Sequence, residues 1–271
     1  MIFEFGSIHI QLLRSEYAPD PFPARWSRFL KPDGTADACA VLAFEKLPSL
    51  DGQLEEGWNT CTCGGKSLAV YAQNGKPTFA LQHKPPEERV SVLVNPPIAS
   101  SVQMGTQFGV MTATYRRCIG LHGVTLLCGK EIVILSAPSG TGKTTLSHLL
   151  EAYCGAIVIN GDFALLSVSD EGVIFEPTPF CGSSGRSLNH RVRVDRVVFL
   201  GQSVTNEWRD LSAREAMTRF MNNAFIPVWD EAMCLAIQEN IMRCVSTLKV
   251  NAFSFAPVRE AAEVFGSHLQ T

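Results

Sequence analysis

Residues 131–145 read EIVILSAPSGTGKTT. Ile132 to Leu135 is an apolar run of strand composition, and Ser136 to Gly142 is a loop of small residues. Lys143, Thr144 and Thr145 then open an apolar pattern at helical spacing, Leu146, Leu149 and Leu150. Strand, glycine loop, Lys-Thr and helix in that order form the phosphate-binding loop signature, with Ala137 in place of the first glycine. Gly140 and Gly142 lack side chains, so backbone N–H groups can curl around phosphate oxygens. A helix opening near Gly142 points its positive end at the same anions. Lys143 neutralises charge on the outer phosphates, and the Thr144 hydroxyl is the expected ligand for a Mg²⁺ ion that keeps most of its waters. The predicted nucleotide contacts are therefore Ser139, Gly140, Thr141, Gly142, Lys143, Thr144 and Thr145. The motif leaves the reaction open, because hydrolases, kinases and nucleotide-gated switches all use it.

The 271 residues suit one large domain or two small ones. A hydrophobic content of 46% against 18% charged residues supports a sizeable core and excludes global disorder. A net charge of -3 and a pI near 6.1 argue against a general nucleic-acid-binding surface. No apolar run is long enough for a transmembrane helix, so no membrane partner is expected. The start, MIFEFGSIHIQLL, alternates like a strand, carries Glu4 and lacks the basic beginning of a signal peptide. Nine scattered cysteines fit reduced thiols in a cytoplasmic protein better than a disulfide framework. Cys61 and Cys63 form C-x-C without a second Cys/His pair at zinc-finger spacing, and are read as loop cysteines.

Residues 1–104 read as a smaller β-rich module and residues 105–271 as an α/β domain. In the first part, an opening strand breaks near Gly6, and Pro19 to Pro23 and Pro32-Asp33-Gly34 are a loop and a turn. Cys39 to Phe44 is a strand, and Ser67–Gln73 and Lys76–Gln82 flank the hairpin signal Asn74-Gly75. Pro77 points to an edge strand or a late strand start. Val90 to Val94 is a further strand, and Asn95-Pro96-Pro97 closes the region. Residues 98–115 have no clear period and read as a join, a helix or a strand, leading into the core. Val124 to Leu127 and Ile132 to Leu135 are strands joined at Gly129-Lys130, and the helix from Thr144 to Tyr153 stops at Gly155. Ala156–Asn160 is a strand, Phe163–Val168 and Val173–Phe175 a hairpin, and Val192 to Leu200 another strand. Ser212-Ala213-Arg214-Glu215 is a capping box, Asp230 to Val245 a second helix, Leu248 to Phe255 a late strand, and Pro257 opens a last short helix.

A phosphate loop needs a partner for the nucleophile or the metal. Asp162 follows the strand after the loop helix, and in a parallel α/β sheet that strand end lies beside the loop. A carboxylate there can hold Mg²⁺ or accept the proton of an attacking hydroxyl. His122, in Leu121-His122-Gly123, precedes the strand that leads into the loop; by composition a lone histidine is more often structural. The loop Pro179-Phe180-Cys181-Gly182-Ser183-Ser184-Gly185-Arg186 could approach phosphates or a peptide, or be an ordinary connection. Glu176, Arg191, Arg193 and Arg196 are further candidates among which the sequence does not choose.

The segment His122–Asp162 resembles the catalytic core of HPr kinase/phosphorylase and, more broadly, its relatives in the ATP-dependent phosphoenolpyruvate carboxykinase superfamily. His122-Gly123, LSAPSGTGKTT and Asn160-Gly161-Asp162 carry the resemblance. It implies a mixed-sheet HPr-kinase-like fold, with ATP and Mg²⁺ as cofactors. It implies His122, Lys143 and Asp162 as catalytic residues, with Asp162 the proton acceptor and Thr144 and Asp162 the metal ligands. The chain departs from the family at Gly161, where the family has a first aspartate, and it lacks the Glu-x-Arg-Gly signature. The segment PTPFCGSSGR in its place is more similar to HPr-kinase-like proteins of ribosomally made peptides, including lasso-peptide precursor kinases. The implied reaction is phosphoryl transfer to a serine or threonine hydroxyl of a small protein or peptide, by a possible homo-oligomer. The departures leave two other readings open: a nucleotide-binding regulator, and a kinase of a small hydroxyl compound.

Overall fold

The computed structural model describes residues 1–13, 15–18, 23–31, 38–50, 52–84, 89–95 and 99–269. The expected loop at Pro19–Pro23, the turn at Pro32-Asp33-Gly34 and the segment Asn95-Pro96-Pro97 lie wholly or partly outside these residues. The chain is α/β, with two mixed sheets and five α-helices among the described residues. It forms two compact units, Met1–Tyr115 with Pro227–Glu231, and Arg116–Ile226 with Ala232–Thr271. No helix among the described residues is long and apolar enough to cross a membrane.

The first unit is built on strands β1 (Ile2–Phe5), β2 (Ile8–Leu13), β3 (Leu30–Lys31), β4 (Ala40–Lys46), β5 (Gly57–Cys63), β6 (Lys66–Gln73), β7 (Lys76–Lys84) and β8 (Arg89–Val94). Their order is β3-β1-β2-β4-β8-β7-β6-β5, and only the β2–β4 and β4–β8 pairs are parallel. The break at Gly6 is a hairpin turn, with Phe5 opposite Ile8. Asn74 (φ 52°) and Gly75 (φ 70°) both take positive φ, as a two-residue hairpin closed by Gln73 and Lys76 requires. Pro77 does not mark an edge, because β7 lies between β6 and β8. Its missing N–H is tolerated since the β8 ladder begins only at Ala80. Cys61 and Cys63 sit in a strand rather than a loop.

The stretch without a clear period is helix α1 (Ala99–Ala113). It packs on β4, β7 and β8 through two glycines: a Cβ at Gly105 would lie 2.7 Å from Val92, and one at Gly109 2.8 Å from both Leu42 and Val92. That close seat explains why the helix interior tolerates residues of poor helix propensity. Beside it, Trp58 meets Tyr71, Phe79, Phe108 and Trp229, the last with ring centroids 4.5 Å apart.

The second unit holds β9 (Cys118–Cys128), β10 (Glu131–Ser136), β11 (Ile157–Asn160), β12 (Phe163–Ser169), β13 (Gly172–Glu176), β14 (Val192–Arg193), β15 (Arg196–Gln202), β16 (Glu207–Asp210) and β17 (Lys249–Phe255). The order is β14-β13-β12-β9-β10-β15-β17-β16, with β11 also on β9. β10, β15 and β17 are parallel to one another, and the remaining pairs are antiparallel. Helices α2 (Lys143–Cys154), α3 (Ala213–Asn223), α4 (Glu231–Thr247) and α5 (Arg259–Ser267) complete it. Alternate residues of β9 and β10 (Val124, Leu126, Val133, Leu135) join Leu146 and Leu150 of α2 and Ala261, Ala262 and Phe265 of α5 in one buried cluster. On the opposite strand parity, Phe199 meets Phe220 of α3 edge to face. Both halves of the capping box form: Ser212 Oγ accepts from Glu215 N–H, and Glu215 Oε2 accepts from Ser212 N–H at 3.0 Å. The single strand expected over Val192 to Leu200 is two, β14 on β13 and β15 on β10. The chain breaks at Asp195, whose carboxylate accepts the Ile132 N–H at 2.8 Å.

Candidate functional site

β9 organises the site. It lies between β10 on one side and β11 and β12 on the other. β10 and β11 both run antiparallel to it, so they point the same way and finish at the same end. Ser136 stands opposite Gly123, and Asn160 opposite Thr125. Direct parallel neighbours were expected from the sequence; instead one antiparallel strand is inserted between them. The outcome for the loop after Ser136 and the turn after Asn160 is still a shared end of the sheet.

The loop itself is shaped by two glycines, Gly140 at φ 79° and Gly142 at φ 102°. Gly142 sits against the Phe255 ring, where a Cβ would lie 3.1 Å from Cζ. Ser139, Gly140, Thr144 and Thr145 are exposed, Thr141 is half-buried, and Lys143 is buried as the first residue of α2. Lys143 Nζ donates to the carbonyls of Ala137 (2.8 Å) and Pro138 (3.1 Å), which holds the ammonium over its own loop. Burial pushes the Lys143 pKa down, and the negative charge of Asp162 pulls it back up. In Asp162→Asn that opposing charge is gone. The Lys143 pKa is therefore expected to fall below its wild-type value, which an NMR titration of the Lys143 side chain reads directly.

Asp162 is fixed by its own backbone. Its N–H donates to Asn160 Oδ1 (3.1 Å), and its carbonyl accepts the Gly123 N–H (2.9 Å). The side chain is left free to act: Oδ1 lies 3.2 Å from His122 Nε2, with both side chains partly exposed. His122 is in turn anchored to the loop strand, since Ser136 Oγ donates to its carbonyl at 2.8 Å. Asp162 and His122 thus meet at the end of the sheet where β10 enters the loop, near enough for the Asp162 charge to act on Lys143.

Asn160 does not stand in for a carboxylate. It is fully buried, its Nδ2 donates to Thr178 O, and its Oδ1 serves the Asp162 and Phe163 N–H groups. Gly161 is sealed: a Cβ there would lie 1.9 Å from Ser184 Oγ. The segment 181–186 wraps this turn closely, with Gly161 N–H donating to Arg186 O at 3.1 Å. A Cβ on Gly182 would come within 2.8 Å of the Asp162 carboxyl carbon. The loop PTPFCGSSGR therefore contributes its backbone to the site, not its arginine. Arg186 pairs with Glu151 in α2, about 12 Å along the helix from Lys143.

The other charged candidates lie elsewhere. Arg196 is buried near the opposite end of the sheet, bidentate on Glu131 (2.7 and 3.1 Å). Arg193 lies beside Gly172, at the far turn of the β12–β13 hairpin. Glu176 is fully buried and accepts from Ser167 Oγ (2.6 Å) and Arg191 Nε (3.1 Å). Gln202, which the sequence gave no reason to select, donates from Nε2 to Gly140 O at 3.1 Å. Its only signal was its place at the end of a strand parallel to β10. Among the described residues, no group of three or more His, Cys, Asp or Glu side chains could hold a metal ion.

No family model matches the sequence, and no curated protein matches it. Among solved structures, the HPr(Ser) kinase/phosphatase from Coxiella burnetii is similar over 56% of this chain and 88% of that chain, with 12% identity and a TM-score of 0.32.

Proposed function

We propose that the second unit is a nucleotide-dependent kinase that transfers a phosphoryl group to a serine or threonine hydroxyl of a small protein or peptide. The observation that carries this reading is the Asp162–His122 pair at the sheet end where β10 enters an exposed glycine loop, which leads into α2 at Lys143. Ser139 to Thr145 would cradle the phosphates of ATP, with Lys143 turning from its loop carbonyls to the outer phosphate oxygens. The acceptor oxygen attacks the γ-phosphorus, the bond to the bridging oxygen of the diphosphate breaks, and ADP leaves. The acceptor's proton passes to Asp162, a base held in place by His122 and by its own backbone bonds. Thr144 and Asp162 supply two oxygen donors, fewer than a closed metal cage and suited to a Mg²⁺ ion that keeps its waters. When bound there, that ion would neutralise charge on the phosphates.

A second reading has its own observation. Gly161 offers no second carboxylate and is sealed against one by Ser184, which suits a nucleotide-binding regulator with little transfer. The two separate in one experiment: incubation with γ-labelled ATP and Mg²⁺ against peptides and small proteins of the source cell, with Lys143→Ala alongside. A labelled Ser/Thr product that disappears in Lys143→Ala is the expected result. Lys143-dependent ATP binding with no labelled product would favour the regulator. Absence of binding in both chains would reject both readings.

A further inference from the structure

We propose that Gln202 is a positioning residue of the phosphate loop: by holding the Gly140 carbonyl outward, it turns the Thr141 N–H inward, to where an oxygen of a diphosphate or triphosphate would sit. The inference rests on the reading of residues 139–145 as a phosphate site. Its starting point is the sheet. β10 and β15 are parallel and in register up to Ser136 and Phe199. β10 then becomes the loop, while β15 runs on beside it through Leu200 and Gly201 to Gln202. Gln202 pairs in register with Phe255 of β17, and both residues meet the loop. The Phe255 ring backs Gly142, and the exposed Gln202 side chain donates from Nε2 to Gly140 O at 3.1 Å. That side chain makes no other hydrogen bond among the described residues, so nothing else in the fold depends on its carboxamide.

A trans peptide unit carries its C=O and its N–H on opposite sides. With the Gly140 oxygen turned to Gln202, the Thr141 N–H of the same unit points the other way. The Pro138 carbonyl marks what lies there. Thr141 N–H meets that oxygen at 3.4 Å, Thr141 Oγ1 donates to it at 3.0 Å, and Lys143 Nζ at 3.1 Å. The peptide contact is longer than a good N–H···O bond, so this donor is aimed without being fully used. A backbone N–H and an ammonium converging on one oxygen are the donors that a phosphate oxygen takes.

Calorimetry of the full chain with Mg²⁺, using ATP and inorganic pyrophosphate as probes, tests this. Gln202→Ala releases the Gly140 carbonyl and should weaken both ligands by about three- to tenfold, the worth of one hydrogen bond. Gln202→Glu sets a carboxylate against that carbonyl and beside the phosphates, and should weaken both by more than about tenfold near pH 8. Once protonated, the introduced carboxyl is a donor again. The loss relative to wild type at the same pH should therefore shrink on going to about pH 5. Urea midpoints of both variants are expected to match the wild type, because the residue is exposed. Lys143→Ala separates this role from the site itself. Loss of ATP binding in Lys143→Ala, with both Gln202 variants binding like wild type, would overturn the role of Gln202 and leave the phosphate site standing. A loss without pH recovery, accompanied by a lower urea midpoint, would make Gln202 structural and overturn it too. A wild type that binds neither probe would overturn the phosphate site, and this role with it.

Discussion

Asp162→Asn is expected to reduce phosphoryl transfer by about 10²–10⁴-fold while the chain still binds nucleotide. The size follows from the role of a general base, which matters only as the acceptor hydroxyl loses its proton. In the proposed reading most of the binding is spared, because the phosphates would be held by loop N–H groups and Lys143, whose hydrogen bonds run to the Ala137 and Pro138 carbonyls and not to the carboxylate. The turn is spared too: the Asp162 N–H bond to Asn160 and the carbonyl bond to Gly123 are made by the backbone. Single-turnover transfer of labelled phosphate, together with nucleotide titration by calorimetry, separates the two effects. Equal loss of binding and transfer would place Asp162 in the phosphate cradle instead. Unchanged transfer would remove it from the chemistry.

Gly161→Ala is expected to destabilise the second unit by about 2–3 kcal/mol, a large cost for one methyl group. The reason is steric and not conformational, since Gly161 is not among the residues with positive φ. The new Cβ would lie 1.9 Å from Ser184 Oγ and 2.6 Å from Ser184 Cβ. Ser184 cannot swing aside freely, because its hydroxyl donates to Cys181 O at 2.6 Å and accepts the Arg186 N–H at 3.2 Å. Ser184→Gly removes both clashing atoms. The double variant should therefore be more stable than the sum of the single changes implies, by about 1 kcal/mol or more in urea unfolding. Strict additivity would show that the two positions do not touch. The same geometry explains why a carboxylate at position 161 is not a simple restoration: Gly161→Asp would have to displace the whole 181–186 turn.

How much of this was legible in the sequence depended on how local the cause was. The strand, loop and helix around Lys143 were, because each step is a short-range preference. So were the Asn74-Gly75 hairpin, whose φ values only a few residues tolerate, and the Ser212–Glu215 box, which closes within one turn. Partnerships across the sheet were not. β9 runs from Cys118 to Cys128, but only its apolar second half reads as strand, since Gly120, His122 and Gly123 interrupt the pattern. Glu207–Asp210 received no strand assignment, because an edge strand can be polar on both faces. α1 was obscured by Gly105 and Gly109, which weaken helix propensity for a contact visible only once the sheet is beneath them. In the site, His122 came forward through resemblance and not through its surroundings in the sequence. Ser184 was named only as part of a glycine/serine loop and Gln202 not at all, because each acts on a residue far away in the chain: Gly161 and Gly140.

The short segment Pro227–Glu231 belongs to the first unit although it follows nearly all the strands of the second. Its Trp229 supplies one wall of the aromatic group around Trp58. The first unit is therefore unfinished until the ribosome has passed residue 229, and cutting the gene after Tyr115 would not yield an independent domain. Such a fragment would show Trp58 to solvent on a side the intact chain covers, inviting aggregation that says nothing about the parent protein. Anyone dissecting the chain would do better to graft Pro227–Glu231 back onto the fragment than to adjust the cut site.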